Sequence, residues 1–195
     1  TIVNAIQECK TPPSLLINAS AIGIYKASDS LETAPIYTES DIPGNGFLEN
    51  LCNDWETEAM KASTTCRVCT LRIGMVIGKK GLLQKLMIPF KCGLGHYFGK
   101  GLTPFSWIHC KDICRIVSFI MSQKSLSGPI NAVSPSPVTF KVFTKTLGQV
   151  LNRPVFISVP SFCLSLLGNM GDLFLKGCAV KPSVLLKKGF EFRYT

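Results

Sequence analysis

The stretch "SLLINASAIGIY" (Ser14–Tyr25) decides how the rest of the chain is read. Its first seven residues are a short apolar run behind Pro12-Pro13, which is the pattern of a strand buried on both faces of a parallel sheet. A helix-like segment with Val3 and Ile6 on one side precedes it. Helix then apolar strand is the rhythm of a doubly wound α/β sheet. Ser20 stands at the C-terminal end of the strand, where such sheets bind ligands. It either takes part in a site there or simply turns the chain.

Working outward, "YTESDIPGNGF" (37–47) is a loop by its Pro, Gly, Asn and Asp content. "FLENLCNDWETEAM" (47–60) is a helix with Leu48, Leu51, Cys52, Trp55 and Ala59 on one stripe. "CRVCTLRIG" (66–74) is a second strand. "GLLQKLMIPF" (81–90) is a short helix that Pro89 should bend or end, and "KCGLGHYFGKG" (91–101) is a glycine-rich, substrate-side loop. "FSWIHCKD" (105–112) leads into a helix whose apolar residues Ile113, Ile116, Val117, Ile120 and Met121 recur at three and four, with Asp112 as its cap. "PINAV" (129–133) and "VFISV" (155–159) are strands, and Thr139 caps a helix that runs to Leu151. One or two helices are expected in 161–176, and a last helix has Pro182 at its start and Gly189 at its end.

With 46% hydrophobic and 17% charged residues in 195, the chain has a folded composition. The nine cysteines have no regular spacing and suit thiols kept reduced inside a cell, which places the protein in the cytoplasm, with organelle targeting left open. Cys66-x-x-Cys69 lies in a strand, so its thiols point to opposite faces. Zinc with Cys92, His96 or His109 as further ligands lacks a second cysteine pair, and no metal is expected. The net charge of +9 is spread over two loose groups, Lys79, Lys80, Lys85, Lys91 and Lys176, Lys181, Lys187, Lys188, without interleaved aromatics. A solvated basic surface fits this better than nucleic acid. The most apolar tract is broken by Asn169, Asp172 and two glycines, so no membrane span is expected.

The ordered segments together resemble the extended short-chain dehydrogenase/reductase proteins, in particular an epimerase-like branch with a C-terminal domain of unassigned function. The resemblance rests on "NASAIGIY", "YTESDIPG", "FLENLCNDWETEA", "RVCTLRIGMVIGKKG", "FSWIHxxD", "GPINAVSPSPVT" through "RPVFISVP", and "GFEFRY". It implies a Rossmann-like domain over residues 1–80 and a small α+β substrate domain over 81–195 interleaved with the sheet. It also implies NAD or NADP as cofactor, NADP slightly favoured, a small-molecule substrate, and room for a homodimer. The glycine-rich phosphate turn of the family is absent here. On that reading the chain is the C-terminal two thirds of a larger fold, and cofactor binding needs the remainder.

The superfamily couples a serine after the fifth strand to Tyr-x-x-x-Lys on the next helix, where i and i+4 share a face and the lysine lowers the tyrosine pKa. Ser20 matches the serine. No Tyr-x-x-x-Lys exists in the chain, and the corresponding positions hold Cys52 and Glu56. A carboxylate beside a thiol disfavours the thiolate, so Cys52 is expected to be a poor nucleophile. Glu56 remains able to accept from ribose hydroxyls.

The resemblance therefore assigns Ser20 and Tyr25 as catalytic candidates, with packing as the competing role for Tyr25. Ala19, Cys52, Glu56, Arg72, Gly74 and Val76 are cofactor candidates, Arg72 having local pairing as its alternative. Phe105, Trp107 and His109 are substrate candidates, His109 having a structural role as its alternative. Two functions follow: a dinucleotide-dependent epimerase or oxidoreductase, or a cofactor-binding protein that has lost catalysis.

Overall fold

A computed structural model describes residues 1–79, 82–160 and 175–195. Its centre is a parallel three-stranded sheet in the order β1 (Leu15–Ala21), β3 (Arg67–Ile73), β8 (Gly128–Ala132). β3 is the middle strand and is buried along its whole inner length, which is why "VCTLR" carries almost no solvent-facing residue. Because side chains alternate along a strand, Val68 faces one layer while Cys69 and Leu71 face the other. Val68 packs with Val3 and Ile6 of α1 (Ile2–Glu8) and with Ala59 of α2 (Phe47–Met60). Cys69 and Leu71 pack with Ile116 and Ile120 of α4 (Cys110–Ser122), with Ile130 of β8, and with Leu185 of the C-terminal helix Ser183–Lys187. The sheet is thus covered on both faces, as the doubly wound reading expects. Cys66 and Cys69 fall in different clusters, on opposite sides.

Smaller pairings extend this centre. β4 (Met75–Ile77) runs parallel to β7 (Trp107–His109), β2 (Ile36–Tyr37) parallel to β11 (Ala179–Val180), and β6 (Pro104–Phe105) antiparallel to β9 (Val138–Thr139). The segment expected to be a glycine-rich loop instead contains β5 (Gly95–Phe98), paired in parallel with β10 (Val155–Val159). Alternating His96 and Phe98 give it a strand's aromatic contacts, Phe98 stacking on Phe140 of α5 (Phe140–Val150) at 5.5 Å. α3 (Leu82–Lys91) carries Pro89 in its last turn and ends two residues later.

Two caps follow the sequence closely. The Thr139 hydroxyl accepts from the Val142 amide, and the last helix closes at Gly189 with φ +78°. Two helix faces differ. Met121 stays 63% exposed although Ile116 and Ile120 are buried. On α2 the buried line is Cys52, Glu56 and Ala59, whereas Leu48 and Trp55 remain about half exposed. The helix is rotated so that a carboxylate, not a tryptophan, points inward.

Gly74 lets the chain pass from the sheet to β4. Its amide donates to the Ala132 carbonyl at 3.1 Å, and the next amide, of Met75, donates to Ser106 at 2.9 Å. A Cβ at Gly74 would lie 2.7 Å from both the Ser106 carbonyl oxygen and Val133 Cγ1, so no side chain fits. Gly74→Ala should destabilise the fold by about 1–3 kcal/mol, the usual cost of overpacking. Urea unfolding of the two proteins checks it, and an unchanged midpoint would show that the junction can relax.

Candidate functional site

Strand register builds the site. Ser20 on β1 is the partner of Arg72 on β3, and Arg72 is the partner of Asn131 on β8. The three polar residues form one row across the sheet near its C-terminal end, on the face covered by α2. All three are at most 5% exposed. A cation in that position must be paired, and α2 supplies Glu56. The Arg72 Nε donates to Glu56 Oε1 and Nη2 to Oε2, each at 2.8 Å, while the Ser20 hydroxyl donates to Oε1 at 2.7 Å. This bidentate arrangement fixes both planes.

The row continues through Tyr25. Arg72 Nη1 donates to its hydroxyl at 2.8 Å, and that hydroxyl lies 2.9 Å from both Asn131 Oδ1 and the Thr38 carbonyl. Asn131 in turn donates from Nδ2 to the Lys181 carbonyl and from its amide to Glu39 Oε1. The other Glu39 oxygen accepts from the Val184 amide at the start of the last helix. A continuous polar network therefore joins α2, all three sheet strands and the C-terminal helix.

Its electrostatics favour structure over reactivity. Burial pushes the Tyr25 phenol above its ordinary value, only partly offset by Arg72. Burial by itself would lower the Arg72 pKa, but the bonds to Glu56 and Tyr25 hold the guanidinium above its usual value, permanently charged. The Cys52 thiol is pushed up chiefly by burial, with Glu56 and Glu49 adding to it and a hydrogen bond to the Ala21 backbone opposing it. The shift is in the direction the sequence suggested, with burial a larger cause than the neighbouring carboxylates.

The expected residues do not all meet. Ser20, Tyr25, Glu56 and Arg72 share the network, with Cys52 packed beside Ile24 and Tyr25. For Tyr25 the structure shows the features of the packing role weighed against the catalytic one. It is 1% exposed, its hydroxyl is engaged on three sides, and its ring stacks on Tyr37 at 5.0 Å. Glu56 and Arg72 face each other, so pairing is the local role of both. Ala19 points away from this row because it neighbours Ser20 along the strand. Gly74 and Val76 belong to the passage into β4, where Val76 pairs with Ile108.

The three substrate candidates are split. Phe105 stacks on Phe143 at 4.4 Å and lines a narrow apolar cleft with Ile22, Met75, Leu86 and Phe140. Trp107 and His109 line a different groove, beside Arg193 and Tyr194. His109 caps α4, its Nδ1 accepting from the Lys111 amide, and its ring stacks on Tyr194 at 3.8 Å. Asp112, expected to be that cap, instead accepts from the Arg193 and Tyr194 amides and pairs with Arg115, which ties the C-terminus down. Asn131 and Glu39 escaped the sequence reading. A polar residue inside the apolar run "PINAV" was the available signal for the first, and the second had none.

The fold is that of an extended short-chain dehydrogenase/reductase, and the relatives agree. The chain is 36% identical to the Arabidopsis thaliana "Epimerase family protein SDR39U1 homolog, chloroplastic" over 93% of its own length and 52% of the relative's. It is also 36% identical to the "Epimerase family protein YfhF" of Bacillus subtilis, over 97% of itself and 62% of that protein. The crystal structure of the human "epimerase family protein SDR39U1 (isoform2) with NADPH" superposes with a TM-score of 0.89 at 29% identity, over 99% of this chain and 65% of that one. Residues 159–195 match a domain of unknown function, DUF1731. The chain belongs to the epimerase-like branch of the extended short-chain dehydrogenase/reductase superfamily. It spans about half to two thirds of the length of these relatives. No helix among the described residues is long and apolar enough to cross a membrane.

Two outcomes test the network. Glu56→Leu leaves a buried guanidinium unpaired and should cost about 3–5 kcal/mol, whereas Arg72→Met with Glu56→Leu should recover most of that. Urea unfolding measures both, and a double variant as unstable as the single would show that the pair does more than neutralise itself. Iodoacetamide at mildly alkaline pH should label exposed Cys9, Cys92 and Cys114 in the native protein. Cys52, and Cys178 whose thiol burial raises to about 12, should label only on unfolding, as read by mass spectrometry.

Proposed function

We propose that the chain forms the nicotinamide- and substrate-facing part of an NADP-linked epimerase or oxidoreductase acting on a small molecule. The observation that carries this reading is the Ser20–Arg72–Asn131 row at the C-terminal ends of three parallel strands, the place where such sheets take their ligands. The human relative's structure with NADPH supports the choice of cofactor. Residues 1–80 then serve the cofactor side and 81–195 the substrate side. A reducing cellular compartment and a homodimer are part of the same proposal.

The cofactor, when bound, supplies hydride transfer. What the chain adds is orientation. The Ser20 hydrogen is committed to Glu56, so its oxygen keeps only acceptor capacity and is suited to hold a substrate hydroxyl rather than to polarise a carbonyl. Arg72 grips both Glu56 oxygens and holds the carboxylate toward Ser20, which makes both positioning residues. With Cys52 and Glu56 where relatives in the wider superfamily carry tyrosine and lysine, the proton must be exchanged with solvent or with another group of the complete site.

Ser20→Ala should leave NADPH binding within a factor of a few, read by cofactor fluorescence, and lower turnover at least about 100-fold on any active substrate of a carbonyl and alcohol panel. Unchanged turnover would remove Ser20 from the reaction. A second reading, a cofactor-binding protein without catalysis, is favoured by the engaged phenol of Tyr25 and the protonated thiol of Cys52. Tight NADPH binding with no turnover on the whole panel would establish it.

A further inference from the structure

The cleft between Ile22, Met75, Leu86, Phe105 and Phe140 is walled mainly by apolar side chains. Two of its lining residues lie close in sequence to the polar row, Ile22 two residues after Ser20 and Met75 three after Arg72. It contains hydroxyls and a thiol, but each is already committed to backbone. Ser106 Oγ donates to the Cys178 carbonyl and accepts from the Val180 amide. Thr103 Oγ1 donates to the Leu175 carbonyl. Cys178 Sγ donates to the Tyr25 carbonyl. Lys176 at the rim has interactions of its own. These polar side chains hold the segment 175–180 against β6 and the sheet; their hydrogens are committed there, which leaves only buried acceptor lone pairs and no side-chain hydroxyl or thiol hydrogen free to donate to a ligand.

A sugar entering this cleft would give up several hydrogen bonds to water and find few in return, at a cost of roughly 1–3 kcal/mol for each group left unpaired. An apolar molecule loses nothing comparable and gains contact with aliphatic and aromatic walls. We infer that the cleft takes a compact apolar or aromatic ketone or secondary alcohol, and excludes hexoses and their nucleotide derivatives. This rests on the proposed function for the placing of the reactive carbon near Ser20, but the occupancy of the cleft does not depend on that function. The small volume, about 80 Å³, admits only part of a single-ring ligand, the rest of which lies outside the cleft.

Saturation-transfer NMR on the protein with acetophenone as the probe tests this, with and without NADPH. The expected result is a clear transfer signal that UDP-glucose in excess does not displace. Leu86→Trp, which fills the cleft, should abolish the signal, and Met75→Gln at a partly exposed wall position should weaken binding several-fold. A thermal melt of each variant separates loss of the cleft from loss of the fold. Absence of the acetophenone signal, its displacement by UDP-glucose, or its persistence in both folded variants would overturn the inference. NADPH binding, measured separately by fluorescence, can fail while the acetophenone result stands, which distinguishes failure of the proposed function from failure of the cleft assignment.

Discussion

The structure depends on one buried cation. Arg72 sits in the central strand of a sheet covered on both faces, where an unpaired guanidinium would cost several kcal/mol. Every neighbouring feature answers that demand. α2 is rotated to bring Glu56 rather than Trp55 inward, Ser20 bonds the same carboxylate, and Tyr25 gives up its hydroxyl to the third guanidinium edge. Apolar packing would hold a sheet of this kind without any of them. The ion pair adds a fixed angle between helix and sheet at the end where ligands bind.

The same pairing explains why the site looks catalytically altered. In the wider superfamily the face of the helix after the fifth strand presents a phenol and an amine to the cofactor. Here Cys52 and Glu56 occupy that face and turn toward the protein, one into an apolar cluster and the other into the ion pair. Tyr25 does not suit chemistry that depends on a lowered phenol pKa, because burial pushes its phenol up. The Ser20 hydroxyl, its hydrogen bonded to Glu56, is left with acceptor capacity at the C-terminal end of the sheet.

The C-terminal segment is bound to this centre by carboxylates. Glu39 reaches the amides of Asn131 and Val184, and Asp112 reaches those of Arg193 and Tyr194. Two acidic side chains thereby satisfy backbone donors that would otherwise be buried without partners. His109 and Tyr194 stack over the same joint, so the groove containing Trp107 is a product of how the chain ends are fastened. Phe105, two residues before Trp107, falls on the other side of Phe143 and serves the cleft instead.

What the sequence determined by itself was the periodic part. The apolar runs at 15–21 and 67–73 read as strands and are strands, although most of 15–21 is only partly buried, the three-and-four spacing after Asp112 indicated a helix, and Thr139 and Gly189 marked helix ends through local backbone chemistry. The missing Tyr-x-x-x-Lys was also readable, because it is a matter of counting. Only the tertiary structure decided where the polar residues point. Register placed Ser20, Arg72 and Asn131 in one row although 52 and 59 positions separate the neighbours. Helix rotation followed from the desolvation of a distant arginine, and Asp112 left its own helix for a backbone over 80 residues away. Long-range pairing of charge and hydrogen bonds carries no local sequence period, so it becomes visible only when the strands are side by side.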